Sequence, residues 1–110
     1  MKGTAAMMKF KLFYCEFPAS VHGNARGFVI HKNGKVAIFI DNQLPKDQQE
    51  MALKHELAHL SLNHLIRPLP KDADVDSNGY IESETLEAEA DRYAEEMTQE
   101  EYEALMQWAI

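Results

Sequence analysis

The sequence predicts an α+β fold, with a small antiparallel sheet of about three strands packed against two helices. Two observations support this prediction. Residues 10–40 are rich in aromatic and β-branched residues with partial period-two alternation, whereas apolar residues recur at helical spacing after Pro45. The 110 residues correspond to one domain, residues 8–110, built around a single core. Residues 1–7 precede Met8, a natural start, and are interpreted as a tag or a disordered extension.

Three segments predict the strands of the sheet. The first, Phe10–Phe17, is rich in aromatic residues and ends at a proline. The next two, Phe28–Ile30 and Val36–Ile40, flank the pair Asn33-Gly34, and Asn-Gly between β-forming residues indicates a hairpin. Because Val36–Ile40 directly precedes the first helix, we expect it to form an exposed edge of the sheet that is able to pair with an extended substrate.

Three segments predict helices. Residues 46–65 carry apolar residues at helical spacing, and the prolines at 68 and 70 end this first helix. Residues 86–97 form the second helix, with Ser83 or Thr85 at its start. Thr98 and Glu101 have the spacing of a capping box, which predicts a short third helix over residues 99–108.

The first helix contains a pattern that is typical of metal centres. His55 and His59 are separated by four residues in an H-E-x-x-H sequence, so a helix projects both imidazoles from one face towards a single ion. Glu56, beside them, is suited to act as a general base. The segment therefore predicts the core of a zinc hydrolase, against the alternative of a helix whose histidines have this spacing by chance.

A catalytic zinc site needs a third protein ligand, and the second helix offers one. Glu87 and Asp91 are four residues apart, hence on one face of that helix. If Glu87 reaches the metal, Asp91 lies where its carboxylate can accept the second N–H of a ligand histidine and fix the orientation of that ring. Glu89 diverges from Asp91 by about 200° and is expected to face solvent.

His64 is a rival third ligand. It lies five residues beyond His59, and the residues between them lack the glycine that turns the chain back on the metal in metzincins. On a continuing helix, His64 would point about 140° away from His59. We therefore interpret His64 as a packing or surface histidine.

The two motifs together resemble the ImmA/IrrE family of small metallopeptidases. That family combines H-E-x-x-H with a later E-x-[EQ]-A-[DN]-x-[FY]-A helix, which here correspond to residues 55–59 and 87–94. The resemblance covers roughly residues 27–97. It implies a minimal gluzincin-like architecture in which His55, His59 and Glu87 hold zinc, Glu56 is the catalytic base and Asp91 supports a ligand.

The resemblance also implies a function. A zinc-dependent metallo-endopeptidase would cut one specific intracellular protein, such as a helix-turn-helix repressor of a prophage, another mobile element or a stress regulon. Tyr93 and Tyr80 are the candidate donors to the oxyanion that develops during hydrolysis. Two alternatives stay open: a regulatory module of the same fold that binds metal and a partner protein without cleaving it, and a hydrolase of non-peptide bonds. Manganese and iron are alternatives to zinc.

The bulk properties of the chain restrict its partners and location. Eleven basic and eighteen acidic residues give a net charge of −7, which disfavours binding to nucleic acid. Cys15 is the single cysteine, so no disulfide framework exists, and a reducing cytoplasm is the expected location. The sequence shows neither a signal pattern nor an apolar run of about 20 residues, so no membrane association is expected.

Residues 74–85 form a second candidate metal site. They follow the calcium-loop pattern D-x-D-x-N-G with a hydrophobic eighth position, but Thr85 occupies the twelfth position, where calcium loops carry a bidentate glutamate. The favoured interpretation is an acidic turn leading into the second helix.

Overall fold

A computed structural model describes residues 8–18, 25–77 and 80–110. These residues form an α+β fold, as predicted, and residues 1–7, the predicted tag or extension, lie outside them. The chain runs through eight elements: β1 (Phe10–Cys15), β2 (Gly27–Lys32), β3 (Lys35–Asp41), α1 (Lys46–Ser61), β4 (Asp74–Val75), β5 (Ile81–Glu82), α2 (Glu84–Glu96) and α3 (Gln99–Met106).

The main sheet has the order β1-β3-β2 and is mixed, which corrects the prediction of a wholly antiparallel sheet. β2 and β3 form the predicted antiparallel hairpin, whereas β1 runs parallel to β3, with Phe10 opposite Val36 and Cys15 opposite Asp41. The physical reason is the connection between the strands. One face of β3 is almost fully buried, and β1 pairs with β3 on the side opposite β2; because β1 does not form a hairpin with β3, its neighbour in the pair, its direction can be parallel.

The central position of β3 overturns a second prediction. The segment Val36–Ile40 is paired on both sides and cannot offer an edge to a substrate. Among the described strands, β1 and β2 are the edges of this sheet. The turn between β2 and β3 behaves as predicted, because Asn33 and Gly34 adopt positive φ values of 55° and 74°, as a two-residue hairpin loop requires.

Helix α1 packs its apolar face against the sheet. Leu53 and Leu57 are almost fully buried and join Ile38 and Ile40 of β3 in the core. Each such side chain contributes about 1.5–3 kcal/mol by its removal from water. The helix that buries these leucines also carries His55, Glu56 and His59, so the packing that forms the core fixes the orientation of the candidate site.

Helix α1 ends four residues earlier than predicted, before the two prolines. Its last residue is Ser61, and Asn63 has a φ of 61°, in the left-handed region. The His64 amide donates to the His59 carbonyl, and the Asn63 amide donates to the Leu60 carbonyl. This pair of hydrogen bonds is a Schellman motif with asparagine in the left-handed position. It turns the chain back over the last turn of α1.

Helices α2 and α3 begin with side-chain caps. The Ser83 hydroxyl accepts from the Leu86 amide at the start of α2, and Thr98 and Glu101 form the predicted capping box of α3. After α3, the chain returns to the sheet, where the amide of Ile110 donates to the carbonyl of Phe10.

The acidic segment before α2 forms a small hairpin of β4 and β5 that the sequence did not predict. The Asp76 carboxylate accepts from the Tyr80 amide, which closes a turn. Asn78 and Gly79, part of the candidate calcium loop, lie outside the described residues. Among the described residues, no helix is long and apolar enough to cross a membrane.

Candidate metal centre

Helix α1 presents three chemically active side chains at one place. His55 is half-buried, whereas Glu56 and His59 are buried, with 5% and 7% of their surface exposed. The four-residue spacing brings the Nε2 atoms of His55 and His59 to 3.2 Å from each other. Both rings therefore direct their Nε2 atoms at the same point beside α1.

Helix α2 brings a carboxylate to the same location. The Glu87 Oε1 atom lies 2.9 Å from His55 Nε2, and its Oε2 atom lies 2.8 Å from His59 Nε2. Ser83 caps this helix and also donates to the Asp72 carboxylate at 2.7 Å, which ties the start of α2 to the preceding loop. The start of α2 is thus fixed one turn before Glu87.

Asp91 lies one turn further along α2, where it contacts the other nitrogen of a ligand ring. Its Oδ1 atom is 2.8 Å from His55 Nδ1. A carboxylate only accepts hydrogen bonds, so Nδ1 carries a proton, and a metal ion that displaces the proton between Nε2 and Glu87 would bind at Nε2. This is the arrangement in which a carboxylate orients a metal-binding histidine.

The donor set fits a zinc ion. The ligand atoms of His55, His59 and Glu87 all lie within 4.8 Å of one another. In a tetrahedral site with Zn–N bonds of about 2.0–2.1 Å, neighbouring ligand atoms are about 3.3–3.4 Å apart, close to the 3.2 Å between the two Nε2 atoms. The carboxylate distances are shorter by about half an ångström, and the side chain of Glu87 is half-exposed and has room to adjust.

In the metal-free site, the pKa values of His55 and Glu87 are both shifted so that the charged form of each group is favoured. Burial lowers the pKa of His55, but the hydrogen bond with Glu87 and the charges of Glu56, Glu87 and Asp91 outweigh burial and raise it to about 9. Burial raises the pKa of Glu87, but its hydrogen bonds with His55 and His59 hold that pKa far below its usual range. A proton and a metal ion therefore compete for the same acceptors.

Glu56 lies beside this cluster with a strongly shifted pKa. Burial raises the pKa of its carboxyl group to about 7, against the lowering effect of His59 and His55. Glu56 lines a cavity of about 30 Å³, large enough for a water molecule. It also lines an open groove of about 520 Å³ together with Ala25, Arg26 and Gly27. A carboxyl group with a pKa near neutrality can both accept and return a proton.

The two candidate tyrosines have different environments. Tyr80 lines the cavity and the groove with Glu56 and Glu87, and burial together with the charges of these two carboxylates raises its pKa to about 12. Tyr93 instead packs against the core, and its hydroxyl accepts a hydrogen bond from Ser61 Oγ at 2.8 Å. The structure thus favours Tyr80 as a donor near the site.

His64 and Glu89 depart in part from the expectations for them. His64 is a buried packing histidine, one of the two predicted alternatives, with 1% of its surface exposed, but it does not point away from His59, because its Nδ1 atom lies 2.8 Å from His59 Nδ1. Burial lowers its pKa, although the hydrogen bond with Glu89 acts in the opposite direction. Glu89 contacts His64 Nε2 at 2.9 Å and Arg67 at 2.7 Å. The signal for this contact was Asn63, because asparagine tolerates the left-handed conformation that ends a helix.

Comparison of the chain with models of protein families, with curated proteins and with solved structures gives no match. The resemblance to the ImmA/IrrE family therefore rests on the two sequence motifs. The structure brings His55, Glu56, His59, Glu87 and Asp91 together, and their roles in metal binding and catalysis stay predictions.

Proposed function

We propose that this chain is a zinc-dependent metallo-endopeptidase that hydrolyses a peptide bond in a specific intracellular protein. One observation carries the proposal: three ligand atoms of His55, His59 and Glu87 converge beside the buried carboxyl group of Glu56. When bound, zinc would polarise the substrate carbonyl and acidify a water molecule. The H-E-x-x-H spacing and the later glutamate are the arrangement expected for this chemistry.

The chain's own residues supply the proton transfers. With a pKa of about 7, Glu56 is partly ionised at neutral pH and can accept a proton from a water molecule in the adjoining cavity. The same carboxyl group can then donate that proton to the amine that leaves. The Tyr80 hydroxyl, whose high pKa keeps it protonated, is the proposed donor to the oxyanion.

We place the substrate in the groove beside Glu56. This groove is lined near the start of β2 by Ala25, Arg26 and Gly27, and on α1 by His55 and Glu56. Gly27 has no room for a side chain, since a Cβ atom would lie 2.8 Å from Ile40 Cδ1 and 3.0 Å from the Phe39 carbonyl oxygen. An extended peptide along residues 25–27 would bring one of its carbonyl groups near the metal ligands.

The two motifs support membership of an ImmA/IrrE-like family, and with it a helix-turn-helix repressor as the substrate. The lone thiol of Cys15 and the net charge of −7 favour a cytoplasmic protein that does not bind nucleic acid itself. A regulatory module that sequesters the same partner without cleaving it is the alternative.

The test compares zinc-loaded wild-type protein with Glu56→Gln on a proteome-derived peptide library, with new termini identified by mass spectrometry. We expect cleavage by the wild type and a loss of at least about 100-fold in Glu56→Gln, which keeps the metal. Glu50→Gln, on the same helix but exposed, is the matched control and should cleave normally. Undiminished cleavage by Glu56→Gln would exclude Glu56 as the base. Absence of cleavage by a zinc-loaded wild type would favour the binding module.

A further inference from the structure

The buried contact between His59 and His64 belongs to a longer series of hydrogen bonds. From the candidate metal centre outwards, His59 Nδ1 lies 2.8 Å from His64 Nδ1, and His64 Nε2 lies 2.9 Å from Glu89 Oε1. Arg67 Nη2 donates to the same Glu89 oxygen at 2.7 Å. The series therefore connects the candidate ligand His59 to a half-exposed ion pair.

The Glu89 carboxylate, at the outer end of the series, determines which atom donates in each hydrogen bond between His59, His64 and Glu89. The Glu89 carboxylate only accepts, so His64 Nε2 must donate to it. In a neutral ring, His64 Nδ1 then has a lone pair and accepts, and His59 Nδ1 must be the donor at 2.8 Å. With its proton on Nδ1, His59 can offer a metal ion the lone pair of Nε2, the atom that faces Glu87 and His55, once the ion displaces the proton between Nε2 and Glu87.

The backbone of the fold brings His59 and His64 side by side. In a Schellman motif, the second residue after the cap lies against the third residue from the helix end, and the contact between them is usually apolar. Here, those two positions are His64 and His59, and the backbone hydrogen bond between them is 3.0 Å long. An imidazole pair thus replaces the usual apolar contact, at the position of the candidate ligand.

We infer that His64 is a positioning residue: supported by Glu89 and Arg67, it holds His59 with Nδ1 protonated and Nε2 directed at the metal site. This inference rests on the proposed zinc site. Asp91 does the corresponding work for His55 through a direct contact at 2.8 Å. Both ligand rings are therefore held at Nδ1, one by a carboxylate and the other by a histidine that is itself held by a carboxylate.

The experiment measures zinc affinity by competition with a chromophoric chelator, and it records the visible absorption spectrum of the cobalt-substituted protein. His64→Leu removes the acceptor and should weaken zinc binding about 10- to 100-fold, with a changed cobalt spectrum. His64→Asn keeps an acceptor oxygen near the position of Nδ1 and should restore affinity to within about threefold of wild type. Ser61→Ala, which removes a nearby hydrogen bond outside the series, is the matched control and should bind zinc normally.

A second variant avoids the buried position. Glu89→Ala removes the acceptor of His64 Nε2 at a half-exposed site and should weaken zinc binding at least about threefold. Urea unfolding of each metal-free variant verifies that it is folded. Zinc binding of wild-type strength in folded His64→Leu, or in Glu89→Ala if His64→Leu does not fold, would overturn this inference alone. A folded wild type that binds no zinc would overturn the proposed function and this inference together.

Discussion

The substitution Glu56→Gln is expected to stabilise the metal-free protein while it removes the proposed base. Burial raises the pKa of Glu56 from 4.5 to about 7, so the folded state disfavours its ionised form. One pKa unit corresponds to about 1.4 kcal/mol, and the whole shift corresponds to about 3 kcal/mol. Glutamine has a similar shape and no charge, so it does not incur this cost.

The sign of the pH dependence follows from the two pKa values. Below pH 4.5, the pKa of Glu56 in the unfolded state, this group is protonated in both the folded and the unfolded state, and the free-energy cost of burying its charge is absent. As the pH rises towards the folded value of about 7, the unfolded state loses its proton first and the wild type loses stability relative to the variant. We therefore expect Glu56→Gln to be more stable than wild type by about 3 kcal/mol at pH 8 and by only about 1 kcal/mol at pH 5.

Urea unfolding of chelator-treated protein at pH 5 and pH 8 measures this difference. With a urea m-value of about 1–3 kcal/mol/M, the midpoint of Glu56→Gln should exceed that of wild type by about 1–3 M at pH 8. Glu50→Gln is the exposed control, and its midpoint should remain close to that of wild type at both pH values. Equal midpoints for wild type and Glu56→Gln at pH 8 would refute the argument that burial destabilises the ionised base.

Three further predictions concern the metal ligands and their supports. Asp91→Ala leaves His55 Nδ1 without its acceptor and should weaken zinc binding about 10- to 100-fold in a chelator competition; unchanged affinity would exclude that role. Zinc affinity measured across pH should rise up to about pH 9, because the metal must displace the proton of His55; a flat profile from pH 7 to 9 would contradict this competition. Asn63→Gly should retain zinc affinity, because glycine adopts a φ of 61° without strain. Asn63→Val should lose roughly 1–2 kcal/mol of folding stability through strain at this φ, and a urea midpoint equal to that of wild type would contradict that strain.

Local sequence patterns predicted much of the fold because their causes are local. The Asn33-Gly34 turn requires positive φ values, and the capping box of Thr98 and Glu101 uses side chains three residues apart. The i, i+4 spacing likewise placed His55 and His59 on one face of α1. Each of these features is decided within a few residues along the chain.

The features that were not predicted depend on distant parts of the chain or, at Asn63, on a local signal for the end of a helix. The central position of β3 depends on its pairing with β1 on one side and with β2 on the other, which no single segment encodes. A helix that continues to the prolines predicts that His64 points away from His59, whereas Asn63 ends the regular helix before them and turns His64 back. With that turn in place, the half-exposed carboxylate of Glu89 contacts His64 and Arg67.

The central claim is that His55, His59 and Glu87 hold one zinc ion, and the most direct test is the metal content of the purified protein. Plasma mass spectrometry on protein supplied with zinc and then desalted should give about one zinc per wild-type chain. His59→Ala and Glu87→Ala should contain almost none, whereas Glu84→Ala, an exposed position on the same helix, should match wild type. A folded wild type without zinc, or full zinc content in Glu87→Ala, would contradict the claim.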